Sequence, residues 1–169
     1  ELVALPEHAL ALEVTVAVMQ HLAEQITQVE RAVHARVQLR PAFQSLLTVP
    51  GIGQTLALTI MLETGEIHRF PTVGQFASYC RCVGSIKLSN GKRKGQGNTK
   101  NGNKYLAWAF VEAAHVAIRY EPQIAQFYQR KRAKTKVVGA LKAGAHKLAR
   151  ACYYLMRDTV PFDVTRAFA

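Results

Sequence analysis

Leu12, Met19, Leu22, Ile26, Val29 and Val33, with Thr15 completing the series, follow one another at alternating spacings of three and four residues. That spacing puts every member on one seam of a helix and is the a/d pattern of a coiled coil. It predicts one long helix from about Glu7 to Val37, with Gln, Glu and Arg on the other faces. Pro6 suits the first turn of such a helix, and Arg40-Pro41 closes it. No second heptad segment of matching length exists in the chain, so the seam looks for a second copy or for a part of the protein outside this chain. The alternative is an amphipathic helix lying on its own globule. On this reading residues 1–40 form a coiled-coil dimerisation helix and residues 41–169 a separate compact domain.

Pro41 to Leu62 carries no charge over a length that could in principle cross a bilayer. Its middle, Val49-Pro50-Gly51-Ile52-Gly53-Gln54, would break a spanning helix where lipid offers the freed backbone groups no partner. Two short buried helices joined by a tight turn are expected instead, and no membrane partner. The stretch resembles a helix-hairpin-helix motif, with Ala57 as the small residue after the glycines. Gly51 and Gly53 permit positive φ and close approach, so the turn and the following helix N-terminus can meet a phosphate through bare N–H groups. A glycine-bearing hairpin between helices is equally consistent with plain architecture.

With 169 residues, 49% of them apolar, the chain can bury a core, which excludes a disordered or collagen-like protein. Its charge is lopsided. Of 22 Lys and Arg and 11 Asp and Glu, residues 1–80 hold four basic and seven acidic side chains, net −3, and residues 81–169 hold eighteen and four, net +14. A field of that sign attracts nucleic acid, an anionic membrane surface or a strongly acidic protein. Cys80, Cys82 and Cys152 are odd in number and lack paired zinc-ligand spacing, so free thiols in a reducing cytoplasm are expected. The opening Glu-Leu-Val-Ala-Leu has no basic n-region before an apolar run, hence no signal peptide, and reads as the cut end of a longer chain.

Residues 84–104 carry five glycines, many cations and no acid. The segment is too polar for a core and longer than a mere connection. Lys87, Lys92, Arg93, Lys94, Lys100 and Lys104 offer phosphate neutralisation, and the glycines let the backbone approach a polyanion. A solvated basic loop without chemistry is the alternative. Thr72 before it and Asn103 after it read as helix N-caps. The Asn103 helix runs to about Arg119 with Leu106, Ala109, Phe110, Ala113 and Ala117 on one stripe, leaving Tyr105 and Trp108 off it, either to stack on a base or to pack on a neighbour. A helix from Pro122 to Lys131 leads into a second basic run, Arg130, Lys131, Arg132, Lys134 and Lys136, before a last helix from Val137 to Met156. No strand-rich alternation appears, so the fold class is all-α: a long N-terminal coiled-coil helix followed by a compact helical domain with a helix-hairpin-helix and long basic loops.

The order Leu47-Thr48-Val49-Pro50-Gly51-Ile52-Gly53, Arg69-Phe70-Pro71-Thr72, Ser89-Asn90-Gly91-Lys92-Arg93-Lys94-Gly95 and Lys100-Asn101-Gly102-Asn103-Lys104-Tyr105-Leu106 resembles the C-terminal part of insertion sequence one-ten family transposases, and more closely their eleven-eleven subgroup. The resemblance spans Gln44 to Asp163, with the heptad helix matching by position. It implies a DNA recombinase guided by a bridge RNA, in which the loop serine, here Ser89, attacks a DNA phosphodiester and becomes covalently attached to the cut end. It also implies a RuvC-like N-terminal domain whose four carboxylates hold Mg²⁺. The acids after Arg81, namely Glu112, Glu121, Asp158 and Asp163, are too scattered to hold two Mg²⁺ ions, so no cofactor is expected in this chain and the isolated piece is expected to be inactive.

Chemically, a serine hydroxyl needs a base or metal to activate it, and the charge-rich transition state of phosphoryl transfer gains from nearby cations. Lys92, Arg93 and Lys94 suit the second need, and nothing adjacent in sequence meets the first. A non-catalytic helix-hairpin-helix module for DNA or RNA explains the charge and the glycines without Ser89. A helical interaction protein with an acidic partner is a third reading. The expected setting is the bacterial or archaeal cytoplasm, with DNA, guide RNA and further copies of the chain as partners.

Overall fold

The structure, a computed structural model, describes residues 6–38, 40–84, 86–96 and 101–169. The chain falls into two compact units, Glu1–Leu39 and Arg40–Ala169. In the first, α1 spans Pro6–Val37 as a single helix. Its seam residues Leu12, Met19, Leu22, Ile26 and Val29 are all exposed. Within the unit, then, the heptad stripe covers no core.

The second unit is helical apart from one hairpin. α2 (Pro41–Leu47) and α3 (Gln54–Thr64) flank the Pro-Gly-Ile-Gly turn, and a 3₁₀ turn at Ile67–Arg69 leads to α4 (Val73–Tyr79). After the hairpin come α5 (Lys104–Tyr120), α6 (Pro122–Arg132), α7 (Val137–Asp158) and α8 (Val164–Phe168). The helices expected from the apolar spacings are therefore present; the 3₁₀ turn and α8, each too short to show a period, emerge only in three dimensions. No described helix is long and apolar enough to cross a membrane.

α7 is the centre of this unit, packing against α2, α4, α5, α6 and α8. The reason lies in its composition. Ala140, Gly144, Ala145 and Ala149 on α7 and Ala109, Ala113, Ala114 and Ala117 on α5 are buried, and such short side chains let two helices approach closely. Leu141, Leu148 and Cys152 continue the α7 face, as their spacing predicts. Phe76 of α4 fills the space above, with its ring edge-on to Phe110 and tilted against Tyr153. The Tyr153 hydroxyl donates to the Phe70 carbonyl at 2.9 Å, which satisfies both groups and pins the entry to α4 against α7. Burying aromatic rings of this size contributes roughly 2–3 kcal/mol each.

The Pro-Gly-Ile-Gly turn owes its shape to packing. Gly51 has φ +86°, and a Cβ there would run into the Ala113 carbonyl and come within 2.9 Å of the Ala117 nitrogen. The turn thus sits directly on the α5 backbone, where only glycine fits. Gly53 differs: its φ is −87°, it is exposed, and nothing lies within 4 Å of where its Cβ would be.

Candidate nucleic-acid interface

The basic stretch after α4 folds into a hairpin in place of the open loop its composition suggests. β1 (Ile86–Ser89) pairs antiparallel with β2 (Lys92–Gln96) in the register Ser89↔Lys92, Leu88↔Arg93, Lys87↔Gly95 and Ile86↔Gln96. Only Asn90 and Gly91 remain to connect Ser89 to Lys92. Both have positive φ, +51° and +72°, the signature of the type I′ turn whose twist matches that of paired strands. Asn-Gly is a strong short-range hairpin signal. Among so many cations and glycines without apolar alternation, it is easily overlooked.

The register slips by one residue between Lys87 and Leu88, so Lys94 is the extra residue of a β-bulge, beside Gly95 at φ +142°. A bulge increases local twist and redirects side chains. Ser89 is half-buried at the last position of β1, and Lys92 and Lys94 are exposed. Lys87 and Arg93 are placed by backbone register alone, and Lys100 lies outside the described residues.

The hairpin hangs from a braced neck. The Asn103 N–H donates to the Tyr79 carbonyl at 2.7 Å, joining the end of α4 to the start of α5. Arg81, itself at φ +54°, directs Nε and Nη2 to the Gly102 carbonyl at 3.1 and 2.8 Å. Gly102 has φ +95° and presses its bare Cα on the Tyr79 carbonyl, where any Cβ would clash. Asn103 then caps α5, its Oδ1 accepting from the Tyr105 and Leu106 N–H groups at 2.8 and 3.0 Å while Nδ2 donates to Glu63 of α3 at 2.5 Å. The Arg69 guanidinium lies 4.8 Å from the centre of the Tyr79 ring. Hydrogen bonds from Asn103 and Arg69 hold the Tyr79 hydroxyl below the usual phenol range. The capping role of Asn103 is readable from sequence; the neck, which joins residues more than twenty apart, is not.

The other expected contact residues fall elsewhere. Lys104 is exposed in the first turn of α5. Arg130, Lys131 and Arg132 form the last turn of α6, and Lys134 and Lys136 lie in the connection to α7, all exposed. Gly51 turns its bare Cα against the α5 backbone at Ala113 and Ala117, so its close approach serves the packing of the turn on α5. Gly53 keeps an open backbone at the N-terminus of α3, which no side chain caps.

Among the described residues, no group of three or more His, Cys, Asp or Glu is placed to hold a metal ion. The donor set needed for two Mg²⁺ ions is not met by these residues. Cys80, Cys82 and Cys152 are free thiols, as expected from their number. Burial pushes the Cys82 thiol up to about 12 and raises Cys80 and Cys152 as well, so none is a thiolate near neutral pH.

Similarity to known proteins gives this arrangement a lineage. Over 136 residues, 80% of the chain, it is 26% identical to "Insertion element IS110 uncharacterized 43.6 kDa protein" of Streptomyces coelicolor. That stretch is 34% of the relative, so the chain spans about a third of the length of this curated protein. Residues 43–129, from α2 through the hairpin into α6, match the family described as "Transposase IS116/IS110/IS902 family". The match takes in the turn on Gly51, the braced neck and the Ser89 hairpin together, and the chain belongs to the IS116/IS110/IS902 transposase family.

Proposed function

We propose that this chain is the serine-bearing, nucleic-acid-engaging part of a DNA transposase, with Ser89 as its nucleophile. The observation that carries the proposal is the position of Ser89: the last residue of β1, directly before the Asn90–Gly91 turn and paired with exposed Lys92. A hydroxyl at a hairpin tip among cations can reach a phosphodiester that a core serine cannot. In the step envisaged, Ser89 Oγ forms a bond to phosphorus as one P–O bond to deoxyribose breaks. The serine proton passes to a base, and the leaving oxygen takes up a proton. Lys92, Arg93 and Lys94, with Lys87, Lys100 and Lys104, offset the negative charge of the strand. Arg130 to Lys136 form a second phosphate-contacting run, and Gly53 offers backbone N–H groups at α3.

In this reading a base or metal to activate Ser89 comes from outside the chain, from a RuvC-like domain with Mg²⁺-binding carboxylates in the longer protein, and the 169-residue piece is inactive alone. The exposed seam of α1 pairs with further copies, and guide RNA shares the basic surface with DNA. The decisive experiment is strand exchange by full-length enzyme. Ser89→Ala should abolish the covalent protein–DNA adduct while leaving DNA binding nearly intact; an adduct formed as readily as by the parent would remove Ser89 from the chemistry.

The exposed cations Lys92, Lys94, Lys104 and Arg130 to Lys136 also fit a second reading, a non-catalytic helix-hairpin-helix module for DNA or RNA, which needs no chemistry at Ser89. Strand exchange that survives Ser89→Ala would select it.

A further inference from the structure

α5 begins at Lys104, directly after the neck residues Gly102 and Asn103, and its buried side includes Leu106, Ala109, Phe110 and Ala113. Its opposite side is unusual for a helix that packs against three others. Tyr105 is 52% exposed and Trp108 is 49% exposed. Three residues apart, they stand on the same face of the helix, one turn above the neck. Exposed aromatic rings forfeit burial worth about 2 kcal/mol or more each, so a neighbouring pair at one helix end marks a contact surface.

The charge beside the pair says what it contacts. Lys104 Nζ lies 4.9 Å from the centre of the Tyr105 ring, and Lys92 and Lys94 are exposed on the hairpin that precedes this helix in the chain. The cores of protein interfaces are depleted in lysine, whereas surfaces for single-stranded nucleic acid combine cations for the backbone with aromatic rings for the bases. Glu112, exposed one turn beyond Trp108, bounds the surface on its far side by repelling phosphate.

We infer that Tyr105 and Trp108 form a stacking platform for an unpaired base of the DNA strand whose phosphates the basic hairpin engages. The inference rests on the proposed nucleic-acid role and adds a specific occupant, a base freed from its duplex. Duplex DNA turns its bases inward and presents no π-face to such rings, so the platform favours single-stranded over duplex DNA of the same sequence. Stacking is indifferent to base identity, so the platform should hold any unpaired base.

Trp108 is the only tryptophan of the chain, so its emission reports on the platform directly. The full 169-residue chain is titrated with a single-stranded DNA of about 10 nucleotides, the corresponding duplex and the RNA of the same sequence. Single-stranded DNA should quench Trp108, and the duplex much less. Tyr105→Ala and Trp108→Ala should each weaken single-strand binding about tenfold at fixed salt, the loss of one base–aromatic stack, with the salt slope unchanged and Trp108→Phe close to the parent. Binding that leaves the emission unchanged overturns the platform, as does equal quenching by the duplex. RNA bound tenfold more tightly than DNA with stronger quenching replaces the occupant. Protection of Trp108 from acrylamide at raised protein concentration without nucleic acid assigns the surface to a second copy. If the parent chain binds no nucleic acid at moderate salt, the underlying nucleic-acid reading fails, which is distinguishable from binding without quenching.

Discussion

Tyr79 and Asn103 are joined through both backbone and side chains: the Asn103 N–H donates to the Tyr79 carbonyl at 2.7 Å, and its Nδ2 lies 3.5 Å from the Tyr79 hydroxyl. One residue thereby closes the neck of the hairpin, caps α5 and ties both to Glu63. Asn103→Ala removes the cap and the side-chain ties while keeping the backbone bond. We expect a loss of about 1–2 kcal/mol in urea unfolding, with Asn103→Ser recovering part of it because serine also caps. A loss below a few tenths would mean that the Asn103 side chain contributes little to the neck.

Gly51 and Gly144 both lie against neighbouring helices but should respond oppositely to alanine. At Gly51 a Cβ meets the α5 backbone at positive φ, so Gly51→Ala should cost about 2–4 kcal/mol. At Gly144, in the middle of α7, a Cβ would lie an ordinary 3.7 Å from Ala114 Cβ. There alanine should stabilise by about 0.5–1 kcal/mol through helix propensity. Thermal unfolding of the two variants measures both signs.

The type I′ turn predicts a local effect. Gly91→Ala places a side chain at φ +72°, in open space, so the penalty of about 1 kcal/mol is conformational and confined to the hairpin. Amide hydrogen exchange should speed up in β1 and β2 and remain as in the parent in α5 and α7. Equal acceleration throughout would contradict a separable hairpin.

Lys92 and Lys94 are exposed and proposed to meet phosphates. Each alanine substitution should then flatten the plot of log binding constant against log salt by about 0.9 for duplex DNA, or about 0.7 for a single strand. Loss of affinity without a change of slope would assign these lysines a different role.

The thiols set an alkaline limit. Folding raises the Cys82 pKa from 9.0 to about 12, mainly by burial against the opposing pull of Lys142. The folded protein therefore holds this proton more tightly than the unfolded chain. The stabilisation is complete below pH 9 and is lost as pH rises toward 12. Urea unfolding between pH 8 and 11 should show falling stability, with a shallower fall for Cys82→Ser. A fall of the same steepness in that variant would transfer the effect to other groups.

The sequence by itself determined the helices and their buried faces. Periods of three and four residues specify α1, α5 and α7, and the caps at Thr72 and Asn103 specify where helices begin, because both signals are local properties of the backbone. It also determined that Ser89 would lie among cations in a segment without acids. Tertiary structure alone decided how those cations are arranged. The bulge at Lys94 depends on which residues pair across the hairpin, and strand register is a relation between two segments. Gly51 illustrates the same limit. Pro-Gly-Ile-Gly signals a tight turn in any context, but whether the bare glycine meets a phosphate or a helix depends on what packs beside it, and here α5 fills that place. The neck at Tyr79, Arg81, Gly102 and Asn103 follows the same logic: contacts between residues far apart in the chain arise only when folding brings α4 and α5 together.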